Sequence, residues 1–233
     1  IPPHLGLAGS SAIITACVRA LMAFFEIEIP PPLLANLVLS VETDELGIPA
    51  GLQDRVAQAY DRPMFMDFAR ETMEAQGYGS YEELPADRFD TFYVAYRTEL
   101  SEGSEVMHAN LRYRFNKNEP EVVDAMQYWS DLTLQVRDLL LARRYAAIAP
   151  LIDANFDRRR SICPISEGNI RMVEAARAAG ASAKFTGSGG AIIGTCPDDG
   201  VFAALGEQLG ELGVKVIRPV LAPPPLTPGK ASQ

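Results

Sequence analysis

Leu5-Gly6-Leu7-Ala8-Gly9-Ser10-Ser11-Ala12-Ile13 is a run of small residues that feeds directly into an apolar, periodic segment. Glycine lets backbone approach a ligand closely, and the N–H groups at a helix start point forward, so this loop suits an anion such as phosphate. A serine hydroxyl at the helix start can also ligate Mg²⁺, a hard cation that takes oxygen donors. The lysine of a Walker A loop is missing, which excludes the common nucleotide loop. Taken alone, the run reads equally well as a turn followed by a capped helix. Loops of this kind normally join a strand to a helix. Here the sequence opens at Ile1 with no strand ahead, so a fragment lacking the start of its first domain is expected.

Working outward, Ser10 to Phe25 reads as a helix with Ile13, Ile14, Cys17, Val18, Leu21, Phe24 and Phe25 at three- and four-residue steps and a serine at the cap. Pro30-Pro31-Pro32 opens a second helix, from about Leu33 to Leu46, with Leu33, Leu34, Leu37, Val38 and Val41 on one face. A compact loop, Gly47-Ile48-Pro49-Ala50-Gly51, precedes a short helical stretch beginning near Gln53. Met64 to Phe68 and Phe92 to Tyr96 are strand-like, and Gly77 to Asp90 reads as a surface connection. Glu119 to Tyr145, Ala146 to Arg160 and Glu167 to Ala179 are helical, with breaks at Pro150 and Pro164. Lys184 to Thr195 reads as strand, glycine loop, strand, followed by a helix over 201–212 and a strand over 214–219. The composition changes near Leu100 to Gly103. That places an N-terminal domain at 1–100, a C-terminal domain at 101–220 and a disordered, proline-rich tail at 221–233.

Two further features carry chemistry. Glu42 ends the second helix and Asp54 follows twelve residues later, beyond Gly47 and Gly51. A helix end, a tight loop and a new helix start can bring both carboxylates into one cleft, one for a metal and one facing a substrate hydroxyl. The plainer alternative makes Glu42, Asp44 and Glu45 a solvated helix end, with Asp54 capping the next helix. The second feature is Gly187-Ser188-Gly189-Gly190 between two apolar strands. An ordinary hairpin turns on two residues, so four small ones favour close approach to a ligand or another loop, with a flexible hairpin as the plainer alternative.

The chain has 233 residues, 48% of them hydrophobic, and 21 Lys+Arg against 30 Asp+Glu leave a net charge of −9. A chain that acidic suits neither nucleic acid nor an anionic membrane surface. Its three cysteines, Cys17, Cys163 and Cys196, have no metal or disulfide spacing and suit a reducing cytosol. Two histidines are too few for a metal cage, and the longest apolar stretch, 13–25, is too short to span a bilayer.

The order of these signals matters more than any one of them. A Gly-Leu-x-Gly-Ser-Ser-Ala helix start, a glutamate twelve residues before the aspartate of Gly-x-x-x-Gly-x-x-Asp at 47–54, and a late Gly-x-Gly-Gly loop resemble the GHMP kinases from Leu5 to Pro219. Those enzymes phosphorylate small molecules with ATP and Mg²⁺. The longer stretches Glu45–Gln58, Met66-Asp67-Phe68, Asn155–Ser161 and Ala183–Ala191 look like the branch of that family acting on D-glucuronate, the glucuronokinases. Relatives usually carry a glycine pair where Asp61-Arg62 stands here.

The resemblance implies a two-domain α+β fold: a partial N-terminal domain with a left-handed βαβ crossover and a ferredoxin-like C-terminal domain. It implies that Gly6, Leu7, Ala8, Gly9, Ser10 and Ser11 cradle the ATP phosphates. Ser11, with Ser10 as second choice, and Glu42 would hold Mg²⁺. Asp54 would accept or orient the hydroxyl proton, and Gly187, Ser188, Gly189 and Gly190 would wall the substrate side. The expected activity is transfer of the ATP γ-phosphate to the anomeric hydroxyl of a sugar acid, D-glucuronate. The alternatives are another small-molecule kinase of the family, or a sugar- and ATP-sensing homologue without turnover. A sugar carboxylate needs local cations in a chain of this charge, and arginine binds carboxylates bidentately. Arg158, Arg160 and Arg112 are the candidates, with Arg159 and Arg114 beside them; the plainer alternative pairs them with surface acids such as Asp153 and Glu167.

Overall fold

A computed structural model describes residues 7–85, 89–100 and 104–220. Gly6 and the expected tail 221–233 lie outside the described residues. The first helix, α1 (Gly9–Phe24), starts one residue earlier than expected, and no side chain caps it. Ala8 stands ahead of it in the left-handed region, φ 56° and ψ 40°, a conformation that costs an alanine about 1–2 kcal/mol. Three donors hold the Ala8 carbonyl in place: the Ala12 amide at 3.1 Å, Ser11 Oγ at 3.1 Å and Gln58 Nε2 at 3.0 Å.

Proline opens α2 (Pro31–Ser40), where its missing N–H is no loss. The helix then widens into a π-turn over Val41–Glu45, in which the Leu46 amide reaches back to the Val41 carbonyl. Leu34, Val38 and Glu42, four residues apart, form one buried stripe. α3 (Leu52–Tyr60) packs on α1 and α2 around Leu34, Ala35, Val38, Val56 and Ala59, with Ile14, Val18 and Met22 against them. The inward face of α1 therefore runs through Ser11, Ile14, Thr15, Val18 and Met22. Ile13, Leu21, Phe24 and Phe25, expected on one apolar face with Ile14 and Val18, are exposed.

A strand pair, β1 (Met64–Asp67) with β2 (Ser80–Glu83), is joined through α4 (Arg70–Gln76). The surface connection expected over Gly77 to Asp90 thus contains a strand, Met66 opposite Tyr81.

A four-stranded antiparallel sheet follows, made of β3 (Phe92–Tyr96), β4 (Lys184–Phe185), β5 (Ala191–Thr195) and β6 (Lys215–Ile217) in the spatial order β4-β5-β3-β6. Between β3 and β4 run α5 (Ser104–Asn116), α6 (Pro120–Leu141), α7 (Ala149–Ile162) and α8 (Glu167–Ala178), and α9 (Asp199–Glu211) links β5 to β6. Helical crossovers flanking a β4–β5 hairpin, with β3 central, give the ferredoxin-like arrangement. One core lies among Tyr93, Ala95, Phe156, Met172, Phe185, Ile192 and Leu205. A second gathers Phe92, Leu140, Tyr145, Ile148 and Ile152.

Because β3 belongs to this sheet, we propose that the C-terminal unit begins ahead of Phe92 rather than at Leu100 to Gly103. A left-handed βαβ crossover needs parallel strands, and the strand pairs of the described residues are all antiparallel.

Candidate active site

Glu42 is fully buried, contrary to the solvated helix end, whereas Asp44 and Glu45 are exposed. The Leu34–Val38–Glu42 stripe turns it inward, and its two carboxylate oxygens are separately engaged. Ser10 Oγ donates to Oε1 at 2.8 Å. Arg55 Nε donates to Oε2 at 2.6 Å, and Arg55 Nη2 pairs with the same oxygen. The Arg55 side chain is only 7% exposed. Its Nη1 reaches the Gly51 carbonyl at 2.9 Å and Asp54 Oδ2 at 3.3 Å. Asp54 itself sits in the first turn of α3 with its side chain 53% exposed, where the positive end of the helix favours a carboxylate. Ser10, Glu42, Arg55 and Asp54 are thus one connected group.

Ser11 is placed differently. It is buried, donates to the Ala8 carbonyl and accepts from Gln58 Nε2 at 2.9 Å. Gln58 also accepts from Thr15 Oγ1 at 3.2 Å, so α3 anchors both the loop and the helix behind it. The hydroxyl beside the buried carboxylate is that of Ser10, and Ser11 serves the loop's own geometry. The first amide with an acceptor in the α1 ladder is Ala12. The N–H groups of Gly9, Ser10 and Ser11 have no intrahelical acceptor and can face an anion.

The second glycine loop is gripped from two helices. Arg159 on α7 donates to the carbonyls of Gly187 at 2.6 Å and Ser188 at 3.2 Å, and lies over the Phe185 ring at 4.8 Å. Asn169, fully buried at the start of α8, accepts from the Gly190 amide at 2.9 Å and donates to the Leu100 carbonyl at 3.1 Å. Gly189 has φ +150°, and a Cβ there would lie 3.0 Å from Asn169 Nδ2. Lys184 lies just ahead of the loop. Burial, and after it the nearby Arg159 guanidinium, lowers its ammonium to about 8.

Of the arginines expected to read a carboxylate, Arg158 donates to the Glu121 carbonyl at 3.3 Å and Arg160 to Glu174 at 2.9 Å. Arg112 is exposed on α5, and Arg114 ties α5 to Glu119 and to the Ile162 carbonyl. Asp153 pairs with Arg177 instead. Only Arg159 of its triplet turns to the glycine loop, as expected for consecutive residues on a helix.

Residues 1–62 match the family model described as GHMP kinases N terminal domain. The chain is 38% identical to Glucuronokinase 1 of Arabidopsis thaliana over 204 residues, 85% of this chain and 56% of that protein. It is 39% identical over 209 residues to Probable glucuronokinase 2 of the same plant, covering 85% and 55%. The first 62 residues are thus similar to the N-terminal domain of the GHMP kinases, and 85% of the chain is similar to part of two plant glucuronokinases. It spans about half the length of the curated relatives it matches. Among solved GHMP kinases, Lactococcus lactis galactokinase complexed with galactose superposes with a TM-score of 0.73 at 18% identity, over 93% of this chain and 66% of that one. Streptococcus pneumoniae phosphomevalonate kinase, in complex with phosphomevalonate and AMPPNP, gives 0.72 at 16%, over 89% and 67%. Both likenesses establish the α+β fold.

At the position where the sequence resemblance implies a glycine pair, Asp61 takes the left-handed C-cap of α3 at φ 54° and pairs with Arg19 at 2.7 Å, while Arg62 pairs with Glu83 at 3.2 Å. Aspartate tolerates that backbone better than most residues. Among the described residues no helix is long and apolar enough to cross a membrane, and no group of three or more His, Cys, Asp or Glu side chains forms a metal cage.

Proposed function

We propose that this chain is the kinase portion of an ATP-dependent sugar-acid 1-kinase acting on the anomeric hydroxyl of D-glucuronate, in the cytoplasm. The observation that carries the reading is the connected group Ser10–Glu42–Arg55–Asp54. It places one exposed, helix-favoured carboxylate beside one buried carboxylate at the mouth of an anion-facing helix start. The likeness to the two plant glucuronokinases supports the choice of sugar.

In this reading the amides of Gly9, Ser10 and Ser11 receive the nucleotide's phosphates. Asp54 accepts the proton of the sugar hydroxyl as its oxygen bonds to the γ-phosphorus. The bond from that phosphorus to the β–γ bridging oxygen breaks, and ADP leaves. Glu42 and Ser10 offer adjoining oxygen donors, which fits a hard cation, and they would hold Mg²⁺, whose charge offsets that of the phosphates. Ser10 takes the place expected of Ser11. The loop Gly187–Gly190, fixed by Arg159 and Asn169, would shape the opposite wall.

The test is ADP release by the purified protein with ATP, Mg²⁺ and glucuronate, galactose or mevalonate in turn. Turnover with glucuronate, giving an acid-labile anomeric phosphate, is expected. Turnover confined to galactose or mevalonate, or none that exceeds ATP hydrolysis, overturns the reading.

A further inference from the structure

Arg55 answers a question that the site itself raises. The carboxylate proposed for a divalent cation is completely buried, yet one of its oxygens already meets two nitrogens of a guanidinium. The two groups come from separate elements, the π-turn after α2 and the fourth residue of α3, thirteen residues apart. The guanidinium spends Nε and Nη2 on Glu42 and Nη1 on Gly51 and Asp54, so it sits between the two carboxylates.

We propose that Arg55 is a positioning residue that acts as the internal counter-ion of Glu42, closing it to free divalent cation, so that metal reaches this carboxylate only with a nucleotide's negative charge. The inference rests on Glu42 being the metal carboxylate. The physics is a charge count in a poorly solvated place. Glu42 and Arg55 together are neutral, and a bare divalent ion beside them adds two positive charges next to a buried guanidinium, a repulsion that water screens little there. A nucleotide brings several negative charges to the adjacent helix start and reverses that balance. The half-exposed Asp54 gives the guanidinium a second carboxylate partner when Glu42 turns to the metal.

The probe is Mn²⁺, titrated into the nucleotide-free protein and followed by the paramagnetic resonance of the unbound ion, with melting temperature read in parallel. Wild type is expected to bind weakly and to melt at the same temperature with and without Mn²⁺. Arg55→Met keeps the stem and removes the charge, and should bind at least about tenfold more tightly, equivalent to about 1.4 kcal/mol. Its melting temperature should rise with Mn²⁺, because the ion replaces the lost counter-charge. Arg55→Lys keeps the charge and should stay near wild type. Glu42→Gln/Arg55→Met removes both charges and should lose the gain. An Arg55→Met protein that folds with wild-type Mn²⁺ affinity, or that stays unfolded with and without Mn²⁺, overturns the proposal. Tight binding by wild type that Glu42→Gln abolishes leaves Glu42 as the metal carboxylate and removes only the role of Arg55. A gain that survives in the double variant removes the metal assignment of Glu42 itself.

Discussion

Arg55 Nε lies 2.6 Å from Glu42 Oε2 and Arg55 Nη1 lies 3.3 Å from Asp54 Oδ2, so one buried guanidinium joins the buried carboxylate to the exposed one. That bridge divides the labour between the two acids. Glu42, without exposure, cannot meet a substrate hydroxyl directly, whereas Asp54 can. We therefore propose Asp54 as the proton acceptor. Asp54→Asn should lower kcat by a factor on the order of 10²–10⁴ while leaving nucleotide affinity nearly unchanged, since the amide keeps the shape and the loop amides are untouched. Steady-state kinetics with a parallel nucleotide-binding titration measures this; near-normal turnover would remove Asp54 from the chemistry.

The two loop serines should separate cleanly. Ser10→Ala removes a hydroxyl beside Glu42 from an exposed position and should raise the Mg²⁺ concentration needed for half-maximal rate, with little change in melting temperature. Ser11→Ala deletes the buried acceptor of Gln58 and a donor to Ala8. An unsatisfied buried group costs about 1–3 kcal/mol, so this variant should melt lower. The opposite pattern, with Ser11 controlling the Mg²⁺ dependence, would return the metal to Ser11.

Much of this was readable along the chain, and the failures have physical causes. The glycine loops, the helix breaks at proline and the strands at Met64, Phe92 and Ala191 announce themselves through local chemistry. Glu42 was readable only in part: the pattern left it open between a cleft carboxylate and a solvated helix end, and its step of four from Leu34 and Val38 decides the matter only once those two are seen buried. Arg55 was not, because an arginine beside an aspartate at a helix start looks like any exposed charged pair. Its burial comes from the π-turn that brings Glu42 over it. β2 escaped because Ser80-Tyr81-Glu82-Glu83 is polar and earns its strand only by pairing with β1. α5 escaped because Ser104 to Asn116 carries no apolar stripe. Which of three adjacent arginines meets the glycine loop depends on the rotation of α7, a property of packing.

Gly189 should tolerate no side chain. At φ +150°, with Asn169 Nδ2 3.0 Å from the place of a Cβ, Gly189→Ala strains the backbone and presses on the amide that fixes Gly190. Activity should fall at least about tenfold, a change of about 1.4 kcal/mol, with the far-ultraviolet circular dichroism of wild type. Arg159→Ala releases two loop carbonyls and should raise the KM for substrate more than it lowers kcat. Full activity in both variants would reduce the loop to a plain hairpin.

Lys184 makes stability depend on pH in a direction that can be stated. Its ammonium titrates near 8 in the folded chain and near the ordinary 10.5 when unfolded, with burial as the main cause and Arg159 second. Between those values the unfolded chain binds more protons, so stability contributed by this site rises with pH, and below about 8 the cost of burying the charge is present in full. Lys184→Met removes that cost. The variant should melt above wild type at pH 7, by about 2–4 °C for each kcal/mol relieved, and its advantage should shrink as pH approaches 10. Paired melting curves from pH 7 to 10 measure the difference. An advantage that stays constant across that range would assign the effect to packing against β5, and a variant less stable at pH 7 would show that the bond from Nζ to the Phe185 carbonyl outweighs the buried charge.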